Sequence, residues 1–153
     1  MSGFARRPML RVAARLALAI AIVLPLAAIS AAANGQTVKA PKAGSQYRGK
    51  APRDVIIRIA RRSIEIVAFS FPCGKASGRT ALNGIKLKRT RRGFRFKTRA
   101  FGNVTYSDQH ADENARIDLS GRFAPNAKTV RGHVRVKSPR CGTTGYLRLK
   151  AKR

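Results

Sequence analysis

The residues best equipped for chemistry lie in "SDQHADEN", where Asp108, His110, Asp112 and Glu113 fall within one short stretch. Alternating Asp108, His110 and Asp112 would suit a cation. A calcium loop, however, needs glycine at its sixth position and a bidentate glutamate at its twelfth, where Glu113 and Leu119 stand. The stretch therefore reads as a solvated acidic loop that offsets nearby cations. A Ser-His-Asp site lacks its parts, because no serine stands in a nucleophile elbow. The other histidine, His133, shares its alternation phase with Arg131 and Arg135 and is expected to face outward. Glu65 and Asp118 are the remaining carboxylate pair worth weighing, but each lies opposite the core parity and is expected to pair with arginine.

Two further stretches imitate binding motifs. "GKASGRT", residues 74–80, has a phosphate loop's glycines one residue too close, arginine in place of its lysine, and no helix after it. "RGFRF" begins like the aromatic RNA-recognition motif, but Arg95 holds the small position and Lys97 an aliphatic one. The two helices of that fold are also missing. These residues assign no catalytic site, no metal site and no cofactor. A hydrolase or metalloenzyme is the least supported class, and the chain is read as a non-enzyme.

The elements that carry these stretches follow a period of two. Phe94 and Phe96 alternate with Arg95 and Lys97; Ile85 and Leu87 with Lys86 and Lys88; Val134 and Val136 with Arg135 and Lys137; Leu147, Leu149 and Ala151 with Arg148, Lys150 and Lys152. Ile117, Leu119 and Phe123 oppose Arg116, Asp118 and Arg122. Alternation of this kind marks strands with one buried and one wet face. The phenylalanines of "RRGFRFK" thus point inward and are withheld from stacking on bases. In "SIEIVAFSF" the parity changes between Ile64 and Phe71, which a bulge near Ile66 to Ala68 would accommodate. Gly121 and Gly132 fall inside strands, where glycine marks a bend or a close backbone approach. The expected fold is all-β: a single small antiparallel β-barrel or β-sandwich of about seven to eight strands.

The chain has 153 residues, with 33 Lys plus Arg against 6 Asp plus Glu, for a formal charge of +27. Residues 1–33 hold Arg6, Arg7, Arg11 and Arg15, then an uncharged run from Leu16 closing on "AISAAAN". That order is the order of a secretory signal peptide, expected to be cleaved near Ala33. The alternative is an uncleaved N-terminal membrane anchor, although Pro25 interrupts the run. Residues 34–44, "NGQTVKAPKAG", read as a flexible linker. Residues 45–153 form the basic all-β domain. An exported chain meets an oxidising compartment, where Cys73 and Cys141 are expected to form a disulfide; two free buried thiols are the alternative.

"VRGHVRVKSPRCGTTGYLRLKAKR" resembles the ending of an uncharacterised group of secreted actinobacterial proteins with a two-cysteine all-β domain. "YRGK", "VIIRI" and "SIEIVAFSFPC" are similar to that group's opening, and "LSGRF" to its middle. The likeness spans Tyr47 to Arg153. It departs at Leu149, a position often aromatic in the group, and at the "SDQHADEN" loop. The resemblance implies an all-β fold and a Cys73–Cys141 pairing, and it brings no activity.

The leading functional expectation is a secreted or extracytoplasmic binding module without catalysis. Its outward Lys86, Lys88, Arg95, Lys97, Arg135, Lys137, Arg148 and Lys150 would engage an anionic cell-envelope polymer or extracellular nucleic acid, without sequence preference. No transmembrane partner is inferred. The alternative is a small β-barrel enclosing an apolar ligand. It is disfavoured by an inward face that is nearly all Ile, Val, Leu and Phe.

Overall fold

A computed structural model describes residues 37–153, which fold into ten strands without a helix. They are β1 (Gln46–Ala51), β2 (Arg53–Ile59), β3 (Ser63–Cys73), β4 (Ala76–Lys86), β5 (Lys88–Thr90), β6 (Gly93–Tyr106), β7 (Ala111–Phe123), β8 (Thr129–Ser138), β9 (Gly142–Thr143) and β10 (Leu147–Lys152). The expected signal peptide, residues 1–33, and the first part of the expected linker lie outside the described residues.

The strands pair antiparallel in the order β1, β2, β3, β4, β6, β7, β8, β10. Because β10 bonds to both β8 and β1, the sheet closes into an eight-stranded barrel. The β4–β6 seam is short: the two strands pair only over Gly78–Thr80 and Val104–Tyr106. The two short strands add to its rim: β5 pairs β6, and β9 pairs β8.

At eight strands a barrel is just wide enough for side chains to fill it. Tyr47, Phe69, Phe71, Phe123 and the inward Ile, Val and Leu residues form one continuous buried cluster. Tyr47 packs edge-on to Phe123, with ring centroids 5.2 Å apart, and its hydroxyl donates to the Ala127 carbonyl at 2.6 Å. That bond ties β1 to the β7–β8 connection, and burial pushes the phenol's pKa up. Residues 37–44 carry no strand, yet the Lys39 N–H donates to the Pro125 carbonyl at 2.9 Å and Pro41 is buried.

The parity break in β3 is real but sits earlier than Ile66 to Ala68. The β2–β3 register shifts between Arg58 and Ile59, opposite Ile66 and Ile64, so Glu65 is the extra residue. The next strand changes phase at the same level: Leu82 and Ile85 are both buried, while Asn83 and Gly84 between them are exposed. Gly84 takes φ +67 there, a left-handed conformation that glycine adopts without steric penalty. Both strands switch faces together, which keeps their pairing in step.

Gly121 and Gly132 are Cα partners across β7 and β8. A Cβ on Gly132 would lie 2.0 Å from the Ser120 carbonyl oxygen, and one on Gly121 would lie 2.4 Å from the Phe96 ring. Neighbouring backbone and an inward ring occupy that space. Gly132→Ala is therefore expected to force β7 and β8 apart and lower unfolding free energy by about 1–3 kcal/mol, measured by denaturant titration. Gly121→Ala meets the Phe96 ring, packed in the core against Phe123, and the Arg131 carbonyl oxygen at 3.0 Å, and should lower it by a comparable amount.

Candidate functional site

Strand alternation turns the odd or even positions of each strand outward; the hydrogen-bond register decides which of them become neighbours. On β6, Arg95, Lys97, Arg99 and Phe101 face out. Their partners on β7 are Arg122, Ser120, Asp118 and Arg116, and the next partners on β8 are Arg131, His133, Arg135 and Lys137. Arg131 and His133 in turn oppose Lys150 and Arg148 on β10.

One row of this grid is entirely cationic. Lys88 of β5 faces Arg95, Arg95 faces Arg122, Arg122 faces Arg131, and Arg131 faces Lys150. At about 4.8 Å between strands, the row spans roughly 19 Å. All five side chains are exposed. Like charges placed directly opposite one another across a sheet are destabilising. A groove of about 900 Å³ runs beside the row, with the backbones of Gly121 and Gly132 among its lining and Lys86, Lys97 and His133 along it.

A neighbouring groove of about 530 Å³ is partly neutralised. Arg99 Nε donates to Asp118 Oδ1 at 2.6 Å, and Arg116 Nε lies 3.6 Å from Oδ2. The Arg99 hydrogen bond holds the Asp118 carboxyl below its ordinary pKa. The Arg135 guanidinium lies over the Tyr146 ring, 5.5 Å from its centroid.

The opposite wall differs in composition. Outward rows there run Ile56, Ala68, Ala81 and Arg58, Ile66, Asn83 across β2, β3 and β4. Arg58 is 3.7 Å from Glu65. The barrel thus has a strongly cationic side and a less charged one, where Arg53, Arg58 and Arg79 stand among apolar and neutral residues.

All eight cations expected to engage a polyanion border the cationic side. Arg95, Lys97, Arg135, Lys137, Arg148 and Lys150 stand on the grid; Lys86 and Lys88 line its groove. Arg135 is half-buried and the others are exposed. Arg122 and Arg131, the centre of the cationic row, are not among them. Parity marks them as outward, but only the register makes them neighbours.

The acidic stretch does something else. Tyr106, buried at the end of β6, donates its hydroxyl to Asp112 Oδ2 at 2.5 Å and lies 2.7 Å from Ser138 Oγ. The Arg140 N–H donates to the same Asp112 oxygen at 3.2 Å, and the Arg140 guanidinium bonds Asp108 while lying over the Tyr106 ring. The Tyr106 hydrogen bond lowers the Asp112 pKa; burial, then that same bond, raises the phenol's. This network ties the β6–β7 hairpin to the chain around Cys141. Cys141 is bonded to Cys73, with Cα atoms 5.3 Å apart. Among the described residues no three His, Cys, Asp or Glu side chains converge on a point that could hold a metal. Compared with protein-family models, curated proteins and solved structures, the chain finds no match in any of the three.

Proposed function

We propose that the protein is a secreted, non-catalytic β-barrel that binds anionic polymers at the cell surface through the outer face of β6, β7, β8 and β10. The observation that carries this reading is the unbroken row Lys88, Arg95, Arg122, Arg131 and Lys150. Side by side without a carboxylate, these charges weaken the sheet they stand on, and a polyanion would relieve that repulsion while releasing its own counterions. The disulfide suits an oxidising compartment. The outward charge is the reverse of a transmembrane barrel, whose outer band is apolar. A barrel holding an apolar ligand is the weaker reading, since the inward side chains meet in a continuous core.

The test is a salt titration of binding to an anionic polymer. Substituting Arg95, Arg122 and Arg131 by Gln should lower the slope of log affinity against log salt by about 2, at roughly 0.7 per lost contact for a single-stranded chain. A control of equal charge change, Arg53, Arg61 and Arg62 to Gln, removes cations of β2 and the β2–β3 turn. It should leave the slope nearly unchanged. Equal losses in both variants would mean that net charge alone, and no particular face, attracts the polymer.

A further inference from the structure

The cationic face carries two features that charge does not explain. Phe101 is 68% exposed and Tyr146 is 71% exposed, the two large apolar side chains left open among the described residues. Both belong to this one side of the barrel. Phe101 continues the outward series Arg95, Lys97, Arg99 on β6 and faces Arg116. Tyr146 immediately precedes β10, two residues from Arg148, and lines the same groove as Arg99, Arg116 and Arg135. The Arg135 guanidinium lies over the ring, a cation–π contact that positions it. At this exposure, much of the ring remains open to water.

We propose that the polymer is a single-stranded nucleic acid that runs along β6 and β7 from the Arg95, Arg122, Arg131 row toward Arg116, its phosphates on the outward cations and its bases stacked on Tyr146 and Phe101. This rests on the polyanion reading and narrows it. Rings set beside a positively charged track are what a chain of alternating phosphates and planar bases can use at once. Polyphosphate offers charge without a planar face. A duplex offers both but keeps its bases stacked on each other, away from the protein. Stacking is tolerant of sequence, because every base has a π face.

The decisive comparison uses three probes near 0.1 M salt: an oligothymidylate of about 20 nucleotides, an abasic chain of equal charge, and a sulfated polysaccharide. The oligothymidylate should bind about 5- to 100-fold tighter than the abasic chain. Tyr146→Ala should remove most of that advantage and leave abasic binding as it was; Tyr146→Phe should preserve it; Phe101→Ala should remove a smaller part. A spectroscopic readout accompanies this. The chain has three tyrosines and no tryptophan, and Tyr47 and Tyr106 are buried, so fluorescence quenched by the oligothymidylate reports on Tyr146. Equal affinity for base-bearing and abasic chains would overturn stacking while leaving the polyanion reading standing. Tighter polysaccharide binding that Tyr146→Ala abolishes would overturn it in favour of sugar rings. Binding to none of the three probes would overturn both readings.

Discussion

Opening the Cys73–Cys141 bridge is expected to lower the protein's unfolding free energy by about 4 kcal/mol in the chain-entropy account. The bridge joins positions 68 residues apart, so its loss frees a long loop in the unfolded chain. Its place in the barrel adds to that effect. Cys73 ends β3 and Cys141 follows β8, and several strands separate these two around the barrel in either direction. Hydrogen bonding around the wall cannot replace a tie of this kind. The chain next to Cys141 also supplies Ser138 and Arg140 to the Tyr106–Asp112 network, which would loosen with it.

A domain of this size is ordinarily stable by about 5–15 kcal/mol, so the loss is a large fraction of the whole. At about 4–8 °C per kcal/mol, the melting temperature should fall by roughly 15–30 °C. Thermal unfolding with and without reductant measures it, with Cys73→Ser and Cys141→Ser together as the genetic equivalent. A fall of only a few degrees would show that the core alone maintains the barrel and that the bridge is incidental to it.

What could be read from sequence divides along a physical line. The inward or outward sense of Phe94, Phe96, Ile117, Val134 and Leu149 is a local property, set by strand pleat, and alternation displays it directly. Closure is not local. A sandwich and a barrel show the same alternation, and they differ here only because β10 meets both β1 and β8. The bulge illustrates the boundary between the two. Ile64, Ile66 and Val67 announce a phase change, but the residue left over depends on the pairing with β2 and on Gly84 in β4. The candidate site is harder still. Outward parity nominates Arg122 and Arg131 no more strongly than any other surface cation, and register alone aligns them with Arg95. Tyr146 lies in the connection before β10, where alternation offers no guidance.

The cationic row should also show itself as an exchange of stability for binding. With Arg122 flanked by Arg95 and Arg131, Arg122→Gln removes two like-charge contacts at once. The relief should be about 0.5–2 kcal/mol at low salt, which raises the melting temperature by several degrees. Screening shortens the reach of these charges to about 3 Å at 1 M salt, so the advantage should vanish there. With Arg95 and Arg131 also replaced by Gln, affinity for a single-stranded polyanion near 0.1 M salt should drop roughly 100-fold. A polymer that binds only the folded state stabilises it in proportion to the logarithm of its saturation. Adding polyanion should therefore reverse the order of melting temperatures, raising the unsubstituted protein above the triple variant that surpasses it alone. A merely solvated face predicts the low-salt gain without the reversal. The reversal requires that the repulsion within the row is what the bound polymer neutralises.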